Sequence, residues 1–556
     1  MVNSIVSEKM RILTAYRLKR RGGLKYFFMA CAVFCFSLFL SGATSLGGAA
    51  SVPGGSGGGF GQERPRWPSG DVLATTQKIS FVHVSDVHAN YNPVRGGSSP
   101  VARLRGYFKQ VQRENPYTLF TNAGDDYEKG SIAEEVSRGL ATREIIQAMH
   151  YDVRTIGNHD FAWGIEELLA FSRDPFSIVL ASNTKMTGAD SGDKDAKQPG
   201  WTDYAVLQVG QIKIGFFGLV SKPWNEKDEQ YDGEFYPGMP GLRSDFDFVK
   251  ITREIIAKHR GEVDLLVLVS HLGIDEDTRL AKETQGIDLI LGGHTHTIMK
   301  ESLLVNGTQI VHVGARAENV GRVDFEYDLQ KRCIRHSAFS LIPNREGETP
   351  VDEATDREVK KILQSYRGAL YDGFAHLSAD QSKGDMALLA ARAAVETLGV
   401  DAAFVGLHAA RKEWRRGSLT KQDVFDAFSV EREPAGTPGF TSLYRLKITG
   451  EELARVRAAM PEAAYWGPAA LAPEGIYTIA LQKAPALHQQ EYFGRRIGLS
   501  APQPARELWD VLVRFASERS GDRLSLDEGG LAEQGYRREA AYQDDGRGLL
   551  GRVVMD

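Results

Sequence analysis

The chain has 556 residues, of which 42% are hydrophobic and 25% are charged, and its formal net charge is -5. This length accommodates two or three domains, each with its own hydrophobic core. The slight acidic excess excludes a non-specific nucleic-acid binder, which would present a basic surface and a high isoelectric point.

Residues 1–50 are predicted to be a signal peptide or a signal anchor. A basic stretch precedes an apolar run at 26–40, and small residues follow that run. The run is shorter than the roughly 20 residues that span a membrane. Arg20-Arg21 resembles a twin-arginine export motif, and the general secretory route is the alternative. We expect an exported protein, periplasmic or secreted, that contacts the membrane only through this segment and stays anchored there if the segment is not cleaved.

A flexible linker rich in glycine and proline is predicted at 51–75. Beyond it, short β-branched and apolar runs alternate with amphipathic segments, which predicts an α/β layered domain at 76–345. Strands are predicted at 79–84, 117–121, 153–156, 177–181, 212–219, 265–269, 289–291, 309–313 and 322–327. Helices are predicted at 101–113, 134–149, 246–259 and 277–283.

Polar side chains follow several of these strands at the point where each strand ends. Open α/β sheets place their ligand sites at the carboxyl ends of strands. A single Asp or His at such a position is usually a turn former or a structural residue. Their joint occurrence indicates one site, built from Asp86, His88, Asp125, Asn158, His271, His294 and His296.

These seven side chains supply carboxylate, amide and imidazole donors without a thiolate. Such a donor set suits divalent Mn, Zn, Fe, Co or Ni. A carboxylate shared by two metal ions holds them roughly 3.5–4 Å apart, a spacing that stabilises attacking and leaving oxygens together. We predict two divalent metal ions, with Asp125 as the carboxylate that they share.

The sequence resembles calcineurin-like metallophosphoesterases in its motifs Asp86-x-His88, Gly124-Asp125, Gly157-Asn158-His159-Asp160, His271 and Gly293-His294-x-His296. Segments 122–126 and 293–296 are similar to the bacterial 5′-nucleotidase branch of that family. The resemblance implies a four-layer α/β/β/α sandwich at 76–345, a linker helix at 346–375 and a C-terminal α/β domain of 5′-nucleotidase type at 376–556.

The resemblance also implies the roles of the site residues. It assigns one metal ion to Asp86, His88, Asp125 and His296, and the other to Asp125, Asn158, His271 and His294. It makes His159 the catalytic residue, which stabilises charge on the phosphoryl group and protonates the leaving oxygen. The implied substrate is a small phosphorylated molecule, with a nucleotide as the candidate.

The sequence departs from the nucleotidase pattern beside His159. Relatives have an aspartate three residues after the catalytic histidine, and this chain has Ala162 there. Asp160 cannot be assumed to replace it, because adjacent side chains need not face the same way. Asp126 and Glu128 are positioned to line the site, but solvated-loop or structural roles are the favoured prediction for both.

The C-terminal region departs from the pattern as well. An Asn-x-Gly-Gly-x-Arg turn of the relatives corresponds to 406–411, where only Arg411 remains. Tyr492 and Phe493 lie near the expected position of a base-stacking aromatic. We take Arg411, Tyr492 and Phe493 as candidate substrate-binding residues. The alternatives are a solvated helix face for Arg411 and core packing for the two aromatics.

Three functions remain open at this point. The leading hypothesis is an exported metal-dependent phosphomonoesterase of 5′-nucleotidase type. A thiosulfohydrolase-like sulfur-ester hydrolase of thiosulfate oxidation would use the same scaffold and metal site. A non-catalytic, metal-bound binding protein is the third, which Ala162 favours and the full ligand set disfavours.

Overall fold

The computed structural model describes residues 67–70, 73–93, 97–186, 199–222, 239, 241–377, 379–428 and 441–518. The predicted signal segment, and the predicted linker apart from residues 67–70 and 73–75, lie outside the described residues. Among the described helices, none is long and apolar enough to cross a membrane.

A seven-stranded sheet forms the first layer of strands; strands and helices are numbered in chain order. Its strands are β1 (Thr76–Val84), β2 (Thr118–Asn122), β3 (Val153–Thr155), β4 (Ile178–Leu180), β6 (Trp201–Thr202), β14 (Asn319–Asp328) and β15 (Cys333–Pro343). In space they follow the order β15-β14-β1-β2-β3-β4-β6. The run from β1 to β6 is parallel, and β14 and β15 join it antiparallel.

A six-stranded sheet forms the second layer. Its strands are β7 (Tyr204–Val209), β8 (Ile212–Val220), β10 (Leu265–His271), β11 (Leu289–Gly292), β12 (Leu303–Val305) and β13 (Thr308–His312). Their order is β12-β13-β11-β10-β8-β7, with parallel pairing from β13 to β8. Two further strands, β5 (Thr184–Met186) and β9 (Leu242–Ser244), form a separate antiparallel pair.

The two sheets pack face to face, because alternate residues of each strand point to opposite sides. Phe81 of β1 and Phe216 of β8 share one buried core between the sheets, with ring centroids 6.5 Å apart. The neighbouring residues Val82 and Phe217 point outward into two other cores. Helices cover both outer faces, so the predicted α/β/β/α sandwich is confirmed.

The helices of this part are α1 (Pro100–Glu114), α2 (Ile132–Ser137), α3 (Leu140–Ala148), α4 (Ile165–Ser172), α5 (Phe248–His259), α6 (Ile274–Glu283), α7 (Glu353–Gln364) and α8 (Arg367–Leu370). The single helix predicted at 134–149 is wrong. Arg138 (φ 55°) and Gly139 (φ 90°) have left-handed backbone, which ends α2 and starts α3 in a new direction.

The predicted linker segment belongs to the first core. Val359 and Leu363 of α7 are buried in the same cluster as Val82 of β1. Helix α7 contacts α1 and α3 along this face. Residues 346–375 therefore contribute packing to the outer face of the seven-stranded sheet.

The C-terminal part is built on a five-stranded sheet. Its strands are β17 (Ala402–Gly406), β19 (Ser442–Thr449), β20 (Ala463–Trp466), β21 (Ile476–Gln482) and β22 (Gln503–Glu507), in the order β20-β17-β21-β19-β22. The antiparallel pair β16 (Gly373–Leu377) and β18 (Gly417–Thr420) lies apart from it. The helices are α9 (Lys383–Leu398), α10 (Lys421–Ala427), α11 (Gly450–Ala459), α12 (Lys483–Leu487), α13 (Gln489–Phe493) and α14 (Leu508–Ser517).

Helices cover both faces of this sheet. Ala403 of β17 is buried in the cluster that contains α9 and α14, and the adjacent Phe404 is buried with α11. Helix α9 starts at a capping box formed by Ser382 and Asp385 and ends at Gly399, which has left-handed backbone. The C-terminal part is thus α/β, as predicted.

Candidate metal centre

The carboxyl ends of the parallel strands bring the predicted ligands to one edge of the sandwich. Val84 pairs with Asn122 at the ends of β1 and β2, and the loops that follow stay hydrogen-bonded. The backbone N–H of Asp86 donates to the Gly124 carbonyl at 2.8 Å, and that of His88 donates to the Asp125 carbonyl at 2.9 Å. In the second sheet, β10 itself ends at His271.

One group of ligand atoms is formed by Asp86, His88 and His296, with one atom from each within 4.8 Å of the others. His296 Nε2 lies 3.5 Å from Asp86 Oδ1. His88 Nε2 lies 3.0 Å from His296 Nε2. This group matches three of the four residues predicted for the first metal ion.

A second group is formed by Asp125, His271 and His294, under the same distance limit of 4.8 Å. His271 Nε2 lies 3.0 Å from Asp125 Oδ2 and 3.1 Å from Asn158 Oδ1. The backbone N–H of His294 donates to both carboxylate oxygens of Asp86 at 3.1 Å, which ties this group to the first.

Asp125 lies between the two groups. Its Oδ2 is 3.0 Å from His271 Nε2 and 3.8 Å from His88 Nε2. Its Oδ1 accepts the backbone N–H of His159 at 2.8 Å, which fixes the carboxylate plane. The structure therefore gathers all seven predicted ligands, with Asp125 at the centre.

Backbone carbonyls orient two of the imidazoles. His88 Nδ1 lies 3.0 Å from the Tyr127 carbonyl, and His271 Nδ1 lies 2.6 Å from the Ala123 carbonyl. Only a protonated Nδ1 can donate to a carbonyl, so the neutral rings carry an unprotonated Nε2 that points into the cluster. This is the arrangement in which proteins present histidine to a metal ion.

The donor atoms require a cation among them. His271 Nε2 faces two oxygen acceptors, and His88 Nε2 faces another imidazole nitrogen. Electron-rich atoms at these separations repel one another unless a shared proton or a metal ion lies between them. Burial lowers the pKa of His271, yet the Asp125 carboxylate outweighs burial and raises it to about 10. Without a metal ion a proton takes the position of the cation, so the residues fit divalent metal ions.

Backbone strain is concentrated at the same residues. Positive φ angles of 47–79° occur at Asp86, His88, Asp125, His294 and His296. L-amino acids rarely adopt this left-handed region, and such residues cluster at functional sites whose surroundings hold them in place. The loops are thus shaped to aim the ligands.

The carboxylate of Asp160 holds two of these loops together. It accepts backbone N–H groups of Asp126 and Gly157, both at 2.8 Å, and that of Asp125 at 3.2 Å. Gly157 lies so close to Asp125 that a Cβ atom there would collide with the carboxylate. Asp160 is therefore committed to the backbone and does not orient His159.

His159 lies beside the metal cluster, with its side chain 17% exposed. Its ring centroid is 4.9 Å from that of His88. Its Nδ1 is hydrogen-bonded to Oε2 of Glu128. Burial lowers the pKa of His159, but the carboxylates of Asp125 and Glu128 outweigh burial and Lys129 and raise it above its ordinary value.

Sequence reasoning gave Glu128 only as a residue that could line the site and favoured a solvated-loop or structural role for it. The prediction of a solvated-loop role is wrong, because this residue is only 4% exposed. Glu128 (φ 71°) and Lys129 (φ 76°) both have left-handed backbone, which turns the Glu128 side chain back to His159. No local pattern encodes that turn; an acidic residue three positions after the central Asp125 is the only sequence signal.

A cavity adjoins this pair. It is small and is lined by Glu128, Lys129, Ser131, Glu134, Glu135, Trp163 and Phe425. Phe425 belongs to α10 of the C-terminal part, whereas the other lining residues come from the first part. The cavity therefore lies where the two parts of the chain meet.

The candidate substrate residues lie in the C-terminal part. Arg411 follows a short 3₁₀ turn at Leu407–Ala409 rather than lying on a helix face, and its backbone N–H donates to the Ala427 carbonyl at 2.9 Å. Tyr492 on α13 is 49% exposed. Phe493 packs against the cluster that contains α11, with its ring centroid 6.2 Å from that of Tyr492. A role in substrate binding stays a prediction for all three.

Comparisons with known proteins agree with this site. The model of the calcineurin-like phosphoesterase family matches residues 79–297. The metallophosphoesterase YunD of Bacillus subtilis is 25% identical over 391 residues, 68% of this chain and 77% of YunD. The 5′-nucleotidase of Rattus norvegicus is 26% identical over 248 residues, which are 42% of this chain and 40% of that enzyme.

Solved structures share the fold over most of the chain. The 5′-nucleotidase precursor of Thermus thermophilus superposes with a TM-score of 0.57 at 18% identity, covering 80% of this chain and 97% of that one. The sulfate thiohydrolase SoxB of Thermus thermophilus superposes with a TM-score of 0.55 at 17% identity, covering 83% and 96%.

The matched family segment contains the complete ligand cluster and His159. Metallophosphoesterases use divalent metal ions, which is what the donor atoms of this cluster fit. The chain carries a calcineurin-like metallophosphoesterase domain and is a hydrolase similar to the 5′-nucleotidases.

Proposed function

We propose that the chain is an exported phosphomonoesterase that uses two divalent metal ions. The observation that carries this proposal is the position of Asp125 between two groups of ligand atoms, with Oδ2 3.0 Å from His271 Nε2 and 3.8 Å from His88 Nε2. A shared carboxylate suits a pair of metal ions that acts on both oxygens of an in-line displacement. One ion would be held by Asp86, His88, Asp125 and His296, and the other by Asp125, Asn158, His271 and His294.

Metal ions bound here would supply a hydroxide that is nucleophilic near neutral pH. Side chains of the protein would provide the other steps, which are charge stabilisation and protonation of the leaving group. Because Nδ1 of His159 contacts Glu128, Nε2 is the ring atom that meets the substrate. A proton on Nε2 stabilises charge on the phosphoryl oxygens and passes to the leaving oxygen.

The proposed substrate is a small phosphorylated molecule, with nucleoside monophosphates as the first candidates. The names of the rat and Thermus thermophilus relatives support this choice. In this proposal Arg411, Tyr492 and Phe493 contact the substrate, and the domains divide at 76–345, 346–375 and 376–556. Export through the N-terminal segment agrees with the word precursor in the name of the Thermus protein.

Two alternatives remain distinguishable by experiment. One alternative is a sulfur-ester hydrolase, because the fold is similar to that of SoxB. At 17% identity this similarity concerns the fold alone. The missing aspartate at Ala162 is the main argument for a non-catalytic binding protein, and the Glu128 carboxylate at His159 Nδ1 weakens it.

The test is a substrate screen with defined metal content. The purified chain is stripped with a chelator, reloaded with Mn, Zn, Fe or Co, and analysed for metal by mass spectrometry. Substrates are p-nitrophenyl phosphate, its diester, AMP, a sugar phosphate and an S-sulfonated cysteine. We expect two metal ions per chain and phosphate release from monoesters. Release of sulfate alone, or no turnover with any reloaded metal, would contradict the proposal.

A further inference from the structure

The contact between Glu128 and His159 joins two residues that are 31 positions apart in the chain. The Glu128 side chain is 2% exposed and the His159 side chain 17% exposed, so the carboxylate is shielded from water while the ring is not. A shielded carboxylate on one ring nitrogen fixes the orientation and the tautomer of a histidine. The opposite nitrogen is thereby directed to the accessible side.

The backbone of Glu128 is held from one side by Glu134. The N–H of Glu128 donates to both carboxylate oxygens of Glu134, at 2.9 and 3.0 Å. Those oxygens also accept from the hydroxyl of Thr142 at 2.7 Å and from Trp163 Nε1 at 2.9 Å. Two successive residues with left-handed backbone are costly, so these bonds are what keeps Glu128 in its turned-back position.

The same loop is held from the other side by Gln422 of α10. Gln422 Oε1 accepts the backbone N–H of Ile132 at 2.8 Å, and Gln422 Nε2 donates to the Gly130 carbonyl at 3.0 Å. Gly130 itself lies against the backbone of Ala89, next to the ligand His88. The position of Glu128 is therefore determined by contacts at its own N–H and at Gly130 and Ile132, which follow it.

Within the part of the chain that the structure describes, neither Ala162 nor Asp160 supplies a partner for His159 Nδ1. Ala162, at the position where relatives have an aspartate, is 2% exposed and has no polar side-chain atom. Asp160 accepts four backbone N–H groups and faces the loop of Asp125. Glu128 is the acidic side chain that the fold delivers to this nitrogen.

We infer that Glu128 is the positioning residue of His159 and takes the place of the aspartate that Ala162 replaces. This inference rests on the proposed phosphomonoesterase function. Glu128 holds the ring so that the proton on Nε2 passes to the leaving oxygen as the bond from phosphorus to that oxygen breaks. The attacking water supplies the oxygen that joins phosphorus in the released phosphate. One of its protons replaces the proton that Nε2 has given up, and the other stays on the phosphate or passes to solvent.

The test compares two phosphate monoesters that differ in their leaving group. An alkyl ester such as glycerol phosphate needs a proton on the leaving oxygen, whereas 2,4-dinitrophenyl phosphate does not. For Glu128→Gln we expect kcat on the alkyl ester to fall about 100-fold, within the range of general acid catalysis. On the dinitrophenyl ester we expect a loss below about threefold, with KM and metal content unchanged.

Four further variants, one of them a double variant, complete the experiment. His159→Asn should show the same selectivity, and adding Glu128→Gln to it should cost nothing more, because the two residues act as one unit. Glu128→Asp keeps the charge on a shorter side chain and should give a partial loss in the same direction. Glu144→Gln, an exposed isosteric change on α3, is the matched control and should behave as the wild type.

Equal losses on both esters would show that Glu128 acts only on the fold, and no loss on either would show that His159 does not need it; both results would overturn the inference. The same holds if His159→Asn shows no dependence on the leaving group. Failure of the proposed function has a different signature, since the wild type itself would then release no phosphate from either ester.

Discussion

The metal centre and the turn that follows β17 differ in how firmly each holds its polar side chains. In the metal centre, backbone carbonyls fix the rings of His88 and His271. After β17, Arg411 is only partly buried and lies on an irregular segment. Its neighbour Arg415 has a side chain that is 75% exposed and pairs with Asp380 at the surface.

This difference separates the reaction from the choice of substrate. Ligands that are fixed by strand ends and strained loops form one unit, and a small displacement of any of them changes the chemistry. Side chains on an exposed turn or a short surface helix can be exchanged while the core stays intact. Under the proposed function, the chain combines a cluster of seven candidate metal ligands with a candidate substrate region that differs from the nucleotidase pattern at Gly406–Arg411.

Asp125→Asn should have the largest effect, because it removes the charge that both groups of ligand atoms share. We expect loss of bound metal and a fall in kcat/KM of roughly a thousandfold or more, since metal ions contribute several kcal/mol to such reactions. Metal analysis and hydrolysis of p-nitrophenyl phosphate measure both effects. Asp275→Asn, an exposed change at the start of α6, is the control. Normal metal content and turnover in Asp125→Asn would place the centre elsewhere.

The second prediction concerns how the free energy of unfolding depends on pH. We expect an effect smaller than that of Asp125→Asn, and it should originate beside the metal centre. Burial raises the pKa of Glu134 to about 8, from an ordinary value of 4.5. Between these values the folded chain keeps a proton that the unfolded chain has released. The free energy of unfolding therefore falls as pH rises through this window, by up to about 1.4 kcal/mol per pH unit.

Glu134→Gln removes this titration while keeping the shape of the side chain. Urea unfolding at about pH 5 and about pH 8 should show a smaller loss of stability for the variant than for the wild type. Glu144→Gln again serves as the exposed control. A pH dependence identical to that of the wild type would show that Glu134 is ionised in the folded chain.

Substitutions in the C-terminal part should have the smallest and most selective effect. For Tyr492→Ala we expect KM for AMP to rise roughly tenfold, since stacking on a base contributes about 1–3 kcal/mol. Turnover of p-nitrophenyl phosphate should change less than about twofold, because that ester has no base to stack. Tyr371→Ala, at another exposed tyrosine, is the control. Losses as large as that of Asp125→Asn would erase the distinction between the two regions.

The sandwich and its ligand cluster could be predicted because local sequence patterns indicate both. Apolar runs such as Leu265–His271 become buried strands, and polar residues directly after them fall at one edge of the sheets. The order of the strands in space did not need to be known for the ligands to be recognised. The prediction depended only on the rule that neighbouring parallel strands have their carboxyl ends at the same edge of a sheet.

The remaining features depend on contacts that no local pattern carries. The contact between Glu128 and His159 requires left-handed backbone at Glu128 and Lys129. It also requires hydrogen bonds with Glu134 and Gln422, and neither residue belongs to a recognisable sequence motif. Strand β15 escaped prediction because most of its residues are exposed, so it lacks the apolar alternation of an inner strand. The break at Arg138-Gly139 was hidden by apolar spacing that continues across it.

Helix α10 packs against the N-terminal sandwich, and this contact limits where the chain can be cut into separate domains. Phe425 is buried in the core that covers the seven-stranded sheet and stacks edge-on against Trp509, with centroids 5.8 Å apart. Gln422 completes the hydrogen bonds of the loop next to the metal ligands. A fragment cut after residue 377 would lose both contacts at its own reactive edge. The hydrolytic half is thus not an interchangeable module, and transplanting it onto another substrate domain means carrying α10 along.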